Sequence, residues 1–170
     1  RSYRALGKPL IAMIQGFCLG GGLLTALKAD LRIASDNSRF GIPAVRLAVG
    51  YTYENVKAVA DVVGAAHARD ILLTGRHLDA QTAFRMGLIH DVVSVDDLEQ
   101  TVKGVARTIA GNAPLTIRAI RAALDEWGKD AGDRDLDHVA QLVEACSASN
   151  DYIEGRRAFM EKRRPQFTGT

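Results

Sequence analysis

Three consecutive glycines, Gly20, Gly21 and Gly22, stand between an apolar run (residues 8–15) and a run of good helix formers (residues 23–29), and this placement limits what the chain can fold into. The apolar run carries Pro9 at its start and reads as a buried strand. Glycine gives up much backbone freedom on ordering, so three in a row disfavour both helix and strand and suit a tight turn or a close approach. The predicted order is strand, glycine turn, helix. The N–H groups that open a helix have no intrahelical acceptor and lie at the positive end of its dipole. A phosphate, a carboxylate or a developing enolate suits such a place. The stretch lacks the Gly-Lys-Ser/Thr ending of a P-loop and does not fit G-x-G-x-x-G. The pattern alone therefore leaves a plain strand-to-helix packing turn equally open.

A chain of 170 residues is long enough for one ordinary core, or for one domain and an appendage. Lysine and arginine number 22 against 20 acids, interspersed along the chain, for a net charge of +2. That balance argues against a nucleic-acid surface. No apolar run approaches the ~20 residues of a membrane span, and no secretory leader is evident, so we expect no membrane partner. Cys18 and Cys146 are far apart and have no C-x-x-C or histidine companions, which makes a metal centre or a disulfide a poor reading and a reducing, cytoplasmic setting the expectation. Cys18 reads as a small buried hydrophobe before it reads as a nucleophile. The chain opens on Arg1 rather than methionine, and we expect further sequence upstream.

Along the chain, residues 30–35 read as a strand, residues 36–38 as a turn, and residues 39–43 as a short extended piece before a proline. Residues 47–54 form a loop into a helix capped by Thr52 or Asn55, with Val56, Val59, Ala60 and Val63 on its apolar face and Gly64 as its stop. A second helix runs on to Thr74, with Ala68, Ile71 and Leu72 inward, ended by Gly75. Asp79 caps a third, ended by Gly87, and residues 88–93 read as a strand. The rest is helical. Its stripes are Leu98, Val102, Val105 and Ile109; then Ile117, Ile120, Leu124 and Trp127; then Leu136, Val139, Val143 and Cys146. Asn150-Asp151 caps a last helix with Ile153, Phe159 and Met160 as apolar contacts, Lys162, Arg163 and Arg164 in its last turn, and Pro165 as its end. Strands early and helices late predict an α/β layer followed by a helical segment.

Taken together, the motifs resemble the enoyl-CoA hydratase/isomerase, or crotonase, family over its C-terminal two-thirds. The matching pieces are residues 8–22, 29–35, 40–43 and 73–76, Asp79-Ala80 with Ala83, Gly87-Leu88-Ile89, Asn112-Ala113-Pro114 and residues 154–163, in family order. The resemblance implies an α/β fold of crotonase-like stacked ββα units, followed by C-terminal helices for trimerisation. Residues 1–110 would be the C-terminal part of the ββα core, and residues 111–170 the trimerisation segment. It implies an acyl-CoA thioester as substrate, with coenzyme A carried as part of that substrate and no other cofactor. It also implies a homotrimer or a dimer of trimers. Two backbone N–H groups would hold the thioester oxygen while it carries enolate charge. Gly21 would supply one, with Gly20 beside it, and the other would lie upstream. Phe159 and Lys162, with Arg163 nearby, would touch the coenzyme A of a neighbouring subunit.

The chain departs from the family pattern at two places. Hydratases of the family carry one glutamate two residues after the glycine triplet and another directly after the Gly-x-Pro of the next strand. Here these are Leu24 and Ala44, which we place in the substrate-binding set. Adding water across a double bond needs a base for the water and an acid for the carbon, and neither side chain moves a proton. The resemblance thus implies an acyl-CoA-binding enzyme in which true hydratase turnover is in doubt. A decarboxylase, or a member that binds acyl-CoA without chemistry, stands as the alternative. The nearest polar replacements are in residues 51–55, with Tyr51 and Glu54 the catalytic candidates. A tyrosine can position or protonate; Glu54 also reads as an ordinary first-turn helix acid.

Overall fold

The computed structural model describes residues 6–170 and divides into two compact units, one formed by Leu6 and residues 10–104, the other by residues 7–9 and 105–170. In the first unit the chain runs β1 (Ile11–Ile14), β2 (Phe17–Leu19), α1 (Gly21–Ala26), β3 (Leu31–Ser35), β4 (Arg39–Gly41), a 3-10 turn (Pro43–Arg46) and α2 (Tyr53–Thr74). It continues through β5 (Leu78–Asp79), α3 (Ala80–Arg85) and β6 (Asp91–Val93) into α4 (Leu98–Ala110). The pairing shows how the pieces stack. β1 lies parallel to β3, with Ile11 opposite Leu31, and β2 lies parallel to β4, with Phe17 opposite Arg39. Two strands and a helix thus repeat, and each strand pairs with its counterpart in the next repeat. β6 extends the first sheet in parallel beside β3, and β5 closes the second antiparallel to β4.

Parallel strands with cover on both faces read as near-continuous apolar runs, and β3 departs from that pattern at the buried Arg32 and Ser35. Ile33, Ala34 and Ser35 are all buried, as are Phe40 and Ile42 around β4. The core of the unit is completed by Leu23 of α1, Val59, Val63, Ala68 and Ile71 of α2, and Leu78, Ala83 and Leu88. Ser35 is accommodated because its hydroxyl meets that of Ser38 at 3.0 Å, while the Ser38 hydroxyl donates to the Ile14 carbonyl at 3.2 Å.

Residues 16–22 hold more than a glycine turn. Gly16, at φ 74, turns the chain, residues 17–19 form the extra strand β2, and Gly20, at φ 52, turns it again into α1. A three-residue strand gives no visible alternation, which is why β2 is illegible in the sequence. The two helices expected on either side of Gly64 form α2, broken where Gly64 takes φ 73 and ψ 161. Thr52 is its cap, accepting from the Asn55 N–H at 3.4 Å, and Gly75 ends it at φ 56. Asp79 caps α3 as expected, accepting from the Thr82 N–H at 2.7 Å.

The second unit contains the end of α4, then α5 (Pro114–Trp127), a 3-10 turn (Ala131–Asp133), α6 (Leu136–Ser147) and α7 (Asn150–Met160). α5 packs on α6, and α6 on α7. The cap of α7 is Ser149, which accepts from the Tyr152 N–H at 3.1 Å, and not Asn150-Asp151. The buried Asp151 carboxylate is occupied instead by the N–H groups of Thr168 and Gly169, at 2.7 and 2.9 Å. Ile153, Phe159 and Met160, expected to be apolar contacts of α7, are exposed, as are Ile120, Leu124 and Trp127 on α5. No helix among the described residues is long and apolar enough to cross a membrane.

Candidate active site

The pairing of β2 with β4 decides which segments come together. In parallel strands both C-terminal ends point the same way, so the segment after β2 lies beside the segment after β4. Leu19 is opposite Gly41, and the Gly20 N–H donates to the Gly41 carbonyl at 2.8 Å. α1 therefore starts beside the Pro43–Arg46 turn. The first N–H taken up inside α1 is that of Leu24, which donates to the Gly20 carbonyl at 3.1 Å. Helix geometry leaves the N–H groups of Gly21 and Gly22 ahead of this ladder. Both glycines are exposed, and a Cβ at either would meet nothing within 4 Å. The carbonyl of Gly21 accepts from the Thr25 hydroxyl at 2.9 Å, which steadies the first turn.

Three further sequence candidates lie in the same unit. Leu24, Ala44 and Tyr51 are all half-buried and all pack against its core. Ala44 also organises the loop after it, since its carbonyl accepts from the N–H groups of Leu47 and Val49, at 3.0 and 3.1 Å. Glu54 stands apart from them in character. It is exposed, and its own backbone N–H, with the Thr52 hydroxyl, holds its carboxyl below the usual carboxylate range. A general base works best with a pKa near the operating pH, so this environment moves Glu54 away from that role.

Cys18 is buried behind the turn, and burial pushes its thiol up, which fits a small packed side chain better than a nucleophile. Gly41 stands in the Gly-x-Pro piece of the sequence, which does not show why glycine is needed there. It is a glycine because a Cβ there would lie 2.7 Å from the Arg76 carbonyl, a contact between residues 35 positions apart that no local pattern reveals.

The other two candidates lie in the second unit. Phe159 is exposed at the end of α7, and Lys162 comes just after it with φ 53 and no ion-pair partner among the described residues. Arg163 is committed elsewhere: it grips Glu154 with two N–H groups, at 2.6 and 2.9 Å, and donates to Glu161 at 2.6 Å. That grip, helped by the Gln166 N–H, lowers the Glu154 carboxyl to about 2. Of the two cations, Lys162 is the one with charge to offer. No cluster of metal-ligating side chains occurs among the described residues.

Stacked ββα repeats with a glycine turn clamped at the strand ends define an α/β fold of the crotonase kind. The enoyl-CoA hydratase/isomerase family model matches residues 2–170, and the chain belongs to that family. It is 36% identical over 167 residues to the crotonyl-CoA hydratase of Syntrophomonas wolfei, covering 98% of this chain and 64% of that protein. It is 34% identical over 161 residues to a mitochondrial Delta(3,5)-Delta(2,4)-dienoyl-CoA isomerase of Dictyostelium discoideum, covering 94% of this chain and 55% of that protein. The crystal structure of an enoyl-CoA hydratase from Bacillus anthracis superposes with a TM-score of 0.88 at 32% identity, covering 97% of this chain and 64% of that one. The chain thus spans somewhat less than two thirds of the length of these relatives.

Proposed function

We propose that the protein binds an acyl-CoA thioester and stabilises its enolate, with the Gly21 N–H donating to the thioester oxygen. The observation that carries this reading is the turn itself: Gly20 is clamped to Gly41, so the exposed N–H of Gly21 is held in place before substrate arrives. A donor that is already oriented where negative charge develops costs no reorganisation during the reaction, which is why such groups stabilise transition states strongly. The names of the relatives favour hydration or isomerisation of an enoyl-CoA. Leu24 and Ala44 supply no acid or base to either reaction, and Glu54 in its present setting is a weak base. The residues assigned here therefore do binding and charge stabilisation, and proton transfer falls to a group outside the Leu24–Ala44 pair. Lys162 and Phe159 are assigned to the coenzyme A of a neighbouring subunit.

Gly21→Pro tests the reading. Gly21 is the first residue of α1, where proline fits a helix and removes only an N–H that has no intrahelical acceptor. On a panel of enoyl-CoA substrates, the whole protein should lose about 10²–10³ in turnover with Gly21→Pro. A folded variant with unchanged turnover would contradict the proposal.

A further inference from the structure

At the end of α7 the chain leaves the helix with two backbone hydrogen bonds. The Lys162 N–H donates to the Phe159 carbonyl at 3.3 Å, and the Arg163 N–H reaches back to the Ala158 carbonyl at 3.0 Å. Such an ending puts one residue in the left-handed region, where a Cβ is disfavoured and glycine is the usual occupant. Here the occupant is Lys162, at φ 53. Among the described residues, Ala48 is the only other non-glycine with a positive φ. A residue held this way persists only where its surroundings fix it, and such residues gather at functional sites. The fixing is done from α7. The half-buried Glu154 carboxylate takes two N–H groups of Arg163, at 2.6 and 2.9 Å, and also the Gln166 N–H at 2.9 Å. Beyond the turn the chain is pinned again, where Asp151 accepts from the N–H groups of Thr168 and Gly169. Lys162 lies between these anchors, exposed, and its ammonium enters none of these bonds.

We propose that Glu154 is a positioning residue for coenzyme A: its grip on Arg163 and on the Gln166 N–H holds Lys162 in the left-handed conformation from which the ammonium meets a phosphate. The proposal rests on the reading that Lys162 touches the coenzyme A of a neighbouring subunit. It gives Arg163 a use that needs no contact with the ligand. A long lysine stem on a loose turn loses backbone and side-chain freedom when it meets a phosphate, and fixing the backbone beforehand lowers that loss. Glycine would relax the turn and carry no charge to the ligand.

Titration calorimetry of coenzyme A with the whole protein tests this in wild type, Lys162→Ala, Glu154→Gln and the double variant. Lys162→Ala should weaken binding about tenfold or more. Glu154→Gln keeps an acceptor for Arg163 and loses the charge-assisted part of the grip, and should weaken binding about threefold. Removing a negative charge would by itself favour the anionic ligand, so this loss runs against the bare charge effect. In the Lys162→Ala background Glu154→Gln should add no loss, because it acts through Lys162. Affinity unchanged or raised by Glu154→Gln, or a loss of the same size in both backgrounds, overturns the proposal and leaves Lys162 assigned to coenzyme A. Affinity unchanged by Lys162→Ala overturns that assignment and the proposal with it, as does a wild type that binds no coenzyme A. Lys162→Gly separates shape from charge. It should keep or raise the urea midpoint while it weakens coenzyme A binding as Lys162→Ala does. A lowered midpoint would show that the left-handed lysine serves the fold, and would overturn the proposal.

Discussion

His90 and Arg32 hold each other where β6 meets β3. The Arg32 backbone N–H donates to His90 Nδ1 at 3.1 Å, and the His90 backbone N–H donates to the Arg32 carbonyl at 2.8 Å. The Arg32 side chain is buried, donating to the carbonyls of Leu88 and Ala29 at 2.8 and 2.9 Å. Nδ1 must stay unprotonated to accept, so the ring proton belongs on Nε2. Burial first, and the Arg32 charge second, push the His90 pKa below its ordinary 6.5. The unfolded chain therefore binds more protons than the folded one between that lowered value and 6.5. Stability from this contact is full above the ordinary value and is lost as pH falls from there through the folded one. His90→Gln keeps an acceptor and removes the titration. The drop in urea midpoint between about pH 7.5 and about pH 5.5 should be smaller in His90→Gln than in wild type. Equal drops would remove His90 from the pH response.

At the scale of elements, glycines mark where backbones meet. A Cβ on Gly41 would lie 2.7 Å from the Arg76 carbonyl, a backbone atom that cannot swing aside. Gly41→Ala should cost about 1–3 kcal/mol by overpacking and should disturb the clamp on Gly20. Gly22, inside α1, has open space where its Cβ would be, and Gly22→Ala should instead stabilise by about 0.5–1 kcal/mol. Chemical denaturation of both variants checks the pair, and destabilisation of the same size at both positions would contradict it. These two glycines look alike in the sequence, because the difference lies in a distant strand-to-loop contact. The longer elements were legible: Val59 and Val63, then Ala68 and Ile71, keep helical spacing, and Thr52, Gly75 and Asp79 mark helix ends at the expected places. The pairs β1–β3 and β2–β4 were not legible, since register between short parallel strands is set by the layers that cover them. Of the candidate site, the glycine turn and the uncharged Leu24 and Ala44 could be read directly. The reduced basicity of Glu54 and the commitment of Arg163 to Glu154 depend on three-dimensional neighbours and could not.

Over the whole molecule, both units expose large apolar side chains, and those of the second unit lie on its helices. Trp127 is 76% exposed and Phe159 82%, and a groove of about 630 Å³ runs among residues including Ile120, Val143, Tyr152 and Phe167. Contiguous apolar surface of this kind on a monomer marks an interaction site. With the family membership it leads us to expect a homotrimer or a dimer of trimers, and light scattering that gives a monomer at micromolar concentration would contradict this. The central claim, however, concerns the thioester oxygen. It can be tested without knowing which group moves protons, by ¹³C NMR of crotonyl-CoA labelled at its carbonyl and bound to the whole protein. A hydrogen bond from Gly21 polarises that carbonyl, so wild type should move its resonance downfield from the free ligand. Gly21→Pro should bind the same ligand with that displacement reduced. The same downfield displacement in both proteins, at saturating ligand, would show that the oxygen is not held at Gly21.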